Sequence, residues 1–150
     1  MKFSARVQYG LQAMLHLADR YGESAVPVSF IAKEESISPA YLEQILNKLK
    51  KERLVKSVRG PRGGYVLTQK PGSISIRKIL EVLGYFSAPT ALGKQSAQIR
   101  VPQRASQMFW LQVESAFQKA FDDISLHDLI QRAGGSEAVS GATANLAFNI

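Results

Sequence analysis

Cysteine is absent from the 150-residue chain. That absence excludes disulfides, thiolate metal sites and cysteine catalysis together. Long apolar runs are absent too: no window of 18 residues is continuously apolar, so no membrane span is expected. The opening "MKFSARVQYGLQ" has no apolar core followed by a small-residue cleavage site, so no secretory signal is expected and the cytoplasm is the default location. Acidic residues are scarce, 12 against 19 Lys and Arg, which leaves a net charge of +7. What is plentiful is apolar content, 45% of the chain, enough to exclude disorder throughout and support a packed core.

The distribution of charge says more than its size. Residues 1–84 hold 14 basic and 7 acidic side chains, whereas residues 85–150 hold 5 of each, so the excess sits in the first part. It is densest where Lys48, Lys50, Lys51, Arg53, Lys56, Arg59 and Arg62 meet only Glu52. Such a cluster suits a polyanion, although a solvated surface accounts for it as well.

Helix signals come in order. "SARVQYGLQAMLHLADRYG" carries Val7, Leu11, Met14, Leu15, Ala18 and Tyr21 as an amphipathic stripe, with Ser4 as N-cap and Gly22 past the end. "VSFIAKEES" offers Ser29 as cap for a short helix burying Phe30, Ile31 and Ala32. In "SPAYLEQILNKLKKERLV", Ser38 is the cap and Pro39 stands at the first helical position, where its missing N–H costs nothing. Leu42, Ile45, Leu46 and Leu49 point inward, and Ser38, Ala40, Tyr41, Glu43, Gln44, Asn47, Lys48 and Lys51 point outward.

A short helix, a tight turn and a helix with a polar outer face make a helix-turn-helix. "LVKSVR" and "GYVLT" then alternate as half-buried strands around "GPRGG", a hairpin whose tip projects Arg59 and Arg62. Its glycines allow positive φ and close backbone approach, and Pro61 stiffens the turn. The fold class expected is therefore mainly α: a winged helix-turn-helix with a two-stranded wing over residues 1–84, closed by "SISIRKILEVLG". Residues 85–101 lose periodicity and read as a linker or sensor loop.

A long dimerisation helix is expected from about Pro102 to Ile124, with Trp110, Val113, Phe117, Ala120 and Ile124 as its seam. "ISLHDLIQRAGG" adds a short helix, completing a unit over 102–132, and residues 133–150 read as a small-residue tail. His16 and His127 lie apart in different helices and read as structural. "RGPRGGY" lacks the Lys-Ser/Thr ending of a phosphate loop, and no nucleophile–base pair or metal constellation occurs, so an enzyme is not expected.

The pattern S-x-x-Y-L-E-Q-I-L-x-x-L from Ser38, running into V-x-S-x-R-G-x-x-G-G-Y from Val55, resembles the Rrf2 family of bacterial winged-helix regulators. "SARVQYGLQAMLHLA" and "DDISLHDLI" extend the likeness over about residues 1–84 and 105–132. The resemblance implies a homodimeric repressor on a partly palindromic operator in double-stranded DNA. Helix 38–53 would enter the major groove and wing 57–66 the minor groove. It implies that Ser38, Ala40, Tyr41, Glu43 and Gln44 meet bases or nearby phosphates, and that Arg59 enters the minor groove with Arg62 beside it. Lys48 and Lys51 suit phosphates, which add affinity without specificity.

Many members of the family hold an iron–sulfur cluster on three cysteines before the long helix. Here that segment reads "APTALGKQSAQIRVPQRASQMFW", so no cofactor is expected. Two origins stay open: a naturally cluster-free member, similar to the family's cysteine-metabolism repressors, or replaced cysteines, with Ala91, Ala97 and Ala105 near a cluster spacing. An effector, small molecule or regulatory protein, would act through residues 85–107. The alternative function is a protein-interaction module whose basic face or dimer helices bind an acidic protein.

Overall fold

A computed structural model describes residues 3–86 and 100–136. Its elements are α1 (Ala5–Asp19), α2 (Val28–Glu34), α3 (Pro39–Lys51), β1 (Val55–Val58), β2 (Gly64–Leu67), a 3-10 turn at Pro71–Ser73, α4 (Ile76–Val82), α5 (Val101–Asp122) and α6 (Leu126–Ser136). The expected class is the one observed: among the described residues, mostly helix, with one antiparallel hairpin after the third helix.

Serine hydroxyls start α1, α3 and α4. Ser4 accepts from the Val7 N–H at 3.4 Å, Ser38 from Tyr41 at 3.2 Å and Ser75 from Lys78 at 3.2 Å. Ser29 caps nothing, because α2 begins earlier, at Val28 behind Pro27. Past α3 the backbone turns left-handed at Arg53 (φ 58°), and Leu54 N–H reaches back to the Leu49 carbonyl at 3.0 Å. This is a Schellman stop made without glycine.

One core joins the elements. Met14 and Leu17 of α1, Ile31 of α2, the whole inner stripe of α3, and Ile79 and Leu83 at α4 are buried together. On α1 the buried set is Val7, Gly10, Ala13, Met14, Leu17 and Ala18. Leu11 and Leu15 stand at its margin, and Tyr21 is exposed beyond the helix end. Gly10 is there for space: a Cβ would sit 2.5 Å from a Leu83 methyl. Full burial of each large aliphatic contributes roughly 1.5–3 kcal/mol. The four on α3 therefore fix its rotation and commit its polar side to solvent.

The hairpin pairs Val55 with Leu67 through Val58 with Gly64. Only β2 alternates in burial; β1 buries Val55 and exposes Lys56, Ser57 and Val58, because it runs out of the core after one residue. Val26 and Tyr65 exchange N–H···O bonds of 2.9 Å, so the α1–α2 connection forms a third, one-residue rung. Gly64 stands there because a Cβ would lie 2.1 Å from the Val26 carbonyl oxygen.

The C-terminal helix belongs to this same body. Leu126 is fully buried in the core, Ile76 N–H donates to the Ile124 carbonyl at 2.8 Å, and Leu126 N–H to Ile74 at 3.1 Å. It is closed by a reciprocal cap in which Asp128 accepts from Ser125 N–H at 2.8 Å and Ser125 Oγ accepts from Asp128 N–H at 3.2 Å. These bonds from Ser125 hold the Asp128 carboxyl below its usual range. The helix continues to Ser136, four residues into the expected tail, and residues 137–150 lie outside the described residues, as do 87–99 of the expected sensor loop. Among the described residues, no helix is long and apolar enough to cross a membrane.

Candidate nucleic-acid interface

The outward face of α3 is built by its inward one. With Leu42, Ile45, Leu46 and Leu49 buried, the 3.6-residue period turns Ala40, Gln44, Asn47 and Lys51 directly outward, and all four are exposed. Glu43 lies on the flank toward the wing, where its charge joins burial in raising the Tyr65 pKa, burial being the larger cause. Tyr41 lies on the other flank, half-buried and edge-on to Tyr9 at 6.3 Å between ring centres. Ser38 is exposed, with one lone pair used by its cap. Asn47, outward by its i+3 spacing from Gln44, shares the centre of this face although the resemblance gave it no role.

Lys50 donates to Ser57 Oγ at 2.9 Å and so ties α3 to the wing. Beyond β1 the chain runs through Arg59 into a turn closed by Gly63 N–H to the Gly60 carbonyl at 2.9 Å, with Pro61 at its second position. Gly60 has φ 111°, a conformation glycine adopts without steric cost. Arg59 and Arg62 are exposed. Among the described residues neither they nor Lys48, Lys51 and Lys56 form an ion pair. Uncompensated cations beside exposed amide and carboxylate groups form a surface that can neutralise phosphates and hydrogen-bond base edges.

The long helix supplies a second kind of surface. α5 has no fully buried residue. Trp110 is 63% exposed, Phe109 56%, Met108 59% and Phe117 37%, while Val113 is half-buried and Ala120 exposed. Ile124 lies past the end of α5, half-buried against its own core, so four of the five seam residues are on the helix. α5 holds to the rest through its last turns: Arg77 of α4 donates to both Asp122 oxygens at 2.9 and 3.2 Å, and Phe86 packs with Phe121 at 6.2 Å.

His16 bonds Glu35 at 2.6 Å and meets Phe30 edge-on, linking α1 to the end of α2, whereas His127 is exposed on α6. Among the described residues no three His, Asp or Glu side chains converge to hold a metal, and the chain has no thiolate for an iron–sulfur cluster.

Residues 3–132 match the family model described as Rrf2, iron-dependent transcriptional regulator. The chain is 32% identical over 137 residues to the HTH-type transcriptional regulator CymR of Bacillus subtilis (strain 168), covering 91% of this chain and 95% of that one. It is 34% identical over 131 residues to the HTH-type transcriptional regulator IscR of Aliivibrio salmonicida, covering 87% and 77%. Among solved structures it superposes on CymR, the global cysteine regulator of B. subtilis, with TM-score 0.72 and 32% identity over 88% of this chain and 98% of that chain. IscR of T. potens gives TM-score 0.75 at 32% identity, covering 95% and 93%. These relatives are transcriptional regulators, not enzymes.

Proposed function

The chain belongs to the Rrf2 family of transcriptional regulators, and from that premise we propose that it acts in the cytoplasm as a homodimeric repressor on a partly palindromic operator. Helix 38–53 enters the major groove and wing 57–66 the adjacent minor groove. Gln44 can bond an adenine edge bidentately, Glu43 can accept from a cytosine amine, and Arg59 suits a narrow, strongly negative minor groove. Ser38, Tyr41, Lys48, Lys51 and Arg62 hold the backbone. The observation that carries this reading is the set of wing-tip cations, without an ion pair among the described residues, beside the exposed face of α3.

A second copy covers α5. The helix is 22 residues long, exposes large apolar side chains and contributes none of them fully to its own core. Pairing two such helices along Trp110, Val113 and Phe117 sets two recognition helices at a fixed separation, as half-sites about 34 Å apart require. The effector, a small molecule or a regulatory protein, acts through residues 85–107 without an iron–sulfur cluster.

Fluorescence anisotropy on the organism's promoter fragments against random duplex, across a salt series, tests this. The expected result is a subset of fragments bound ~10³-fold tighter than random DNA, with Arg59→Ala and Gln44→Ala each weakening those fragments about 10- to 100-fold. Equal, weak binding to every fragment in the presence and absence of cell extract overturns it.

A further inference from the structure

α4 carries a cation that helix electrostatics does not account for. Lys48 and Lys51 stand in the last turns of α3, where the backbone dipole favours positive charge. Lys78 stands in the first turn of α4, where the same dipole opposes it. Lys78 is about half exposed. It lines, with Lys48 and Lys51, one open groove of about 370 Å³ between the end of α3 and α4, whose other walls are Glu52, Glu81 and Val82. The position is rigid, since Ile76, Ile79 and Leu80 bury the inner side of α4.

The two acids hold Lys78 only loosely. Its Nζ is 4.0 Å from Glu52 and 3.9 Å from Glu81, and all three side chains are about half exposed. Contacts so long and so wet contribute little and are readily exchanged for a better anion. Lys48 and Lys51 have no acid partner among the described residues. The groove lies on the flank of α3 away from Lys50 and the wing. A duplex seated on α3 therefore meets cations on both sides.

Resting on the regulator reading, we propose that Lys78 joins Lys48 and Lys51 as a second contact surface for the DNA phosphodiester backbone, with Glu52 and Glu81 holding Lys78 back until a phosphate replaces them. The surface adds affinity and salt dependence and reads no bases. Each phosphate neutralised contributes about 0.9 to the slope of log K against log salt.

The test is a salt titration of operator binding by the intact protein and the Lys78→Gln, Lys78→Arg, Glu81→Gln and Lys78→Gln/Glu81→Gln variants, with urea unfolding as the folding control. Lys78→Gln is expected to lower the slope by about 0.9 per protomer, hence roughly 1.8 for a dimer, leaving base preference intact. Lys78→Arg restores the slope. Glu81→Gln tightens binding, and that gain vanishes in the double variant, because it acts through Lys78. An unchanged slope in Lys78→Gln, or a Glu81→Gln gain that persists without Lys78, overturns the proposal while wild-type operator preference stands. Loss of that preference in the wild type overturns the regulator reading itself.

Discussion

In the proposed interface, Ser38 would serve folding and recognition through one hydroxyl. Its oxygen accepts from the Tyr41 N–H, while the residue itself stays exposed at the start of the outward face of α3. Ser38→Ala removes the cap and should cost about 1 kcal/mol of stability. Ser38→Asp keeps a capping oxygen and adds a charge the helix N-terminus favours, yet turns a carboxylate toward phosphate. Urea unfolding should thus rank Asp at or above wild type and Ala below it, whereas operator affinity should fall furthest for Asp. Operator binding by the Asp variant as tight as wild type would take Ser38 off the DNA. The cap was legible from "SPAYLEQ" because capping chemistry is local. The function of Gly64 was not: its neighbour is the Val26 carbonyl, 38 residues earlier in the chain, and only the tertiary rung brings the two together.

Among the elements, α5 is the one whose sequence and packing disagree inside a single chain. Its apolar stripe demands a partner, and its own fold supplies one only at the last turns. Trp110→Glu is expected to give a monomer by sedimentation velocity, with a urea midpoint lowered by the lost pairing and no longer dependent on protein concentration. Operator affinity should collapse with the dimer, while non-specific binding through α3 and the wing persists. A dimer that survives Trp110→Glu would move the seam elsewhere on the helix. The periodicity of three and four made this helix legible, and caps and turn residues did the same for α1, α3 and the wing. The destination of α6 was hidden. Leu126 reads as one more apolar residue after a long helix, but it closes the core formed by α1 and α3. Non-local packing of this kind leaves no periodic trace.

At the scale of the whole molecule, α4 stands between reading and pairing. Neighbouring residues on it reach different elements: Lys78 toward Glu52 just past the end of α3, and Arg77 toward Asp122 of α5, with Gln118 accepting from Arg77 at 3.4 Å. Phe86 against Phe121 and the Ser75–Ser125 bridge complete the joint. In the proposed dimer, a joint of this kind would transmit the dimer axis to the recognition helices, so the protein should be intolerant of half-site spacing. Adding about 5 base pairs between half-sites turns one of them half a helical turn away, and specific binding by the wild type should then be lost. Arg77→Ala removes the forked contact of one guanidinium nitrogen with both Asp122 oxygens and leaves the aromatic and backbone contacts. An exposed pair contributes about 0.2–1 kcal/mol, so affinity for the natural spacing should fall only about two- to fivefold. The informative change is in the profile: the penalty for spacings one base pair longer or shorter should shrink, because a looser joint lets each recognition helix find its groove independently. Anisotropy on a spacing series reads both quantities. A profile in Arg77→Ala as sharp as in wild type would assign the rigidity to the Phe86–Phe121 contact and the Ser75–Ser125 bridge, leaving the Arg77–Asp122 pair as surface charge.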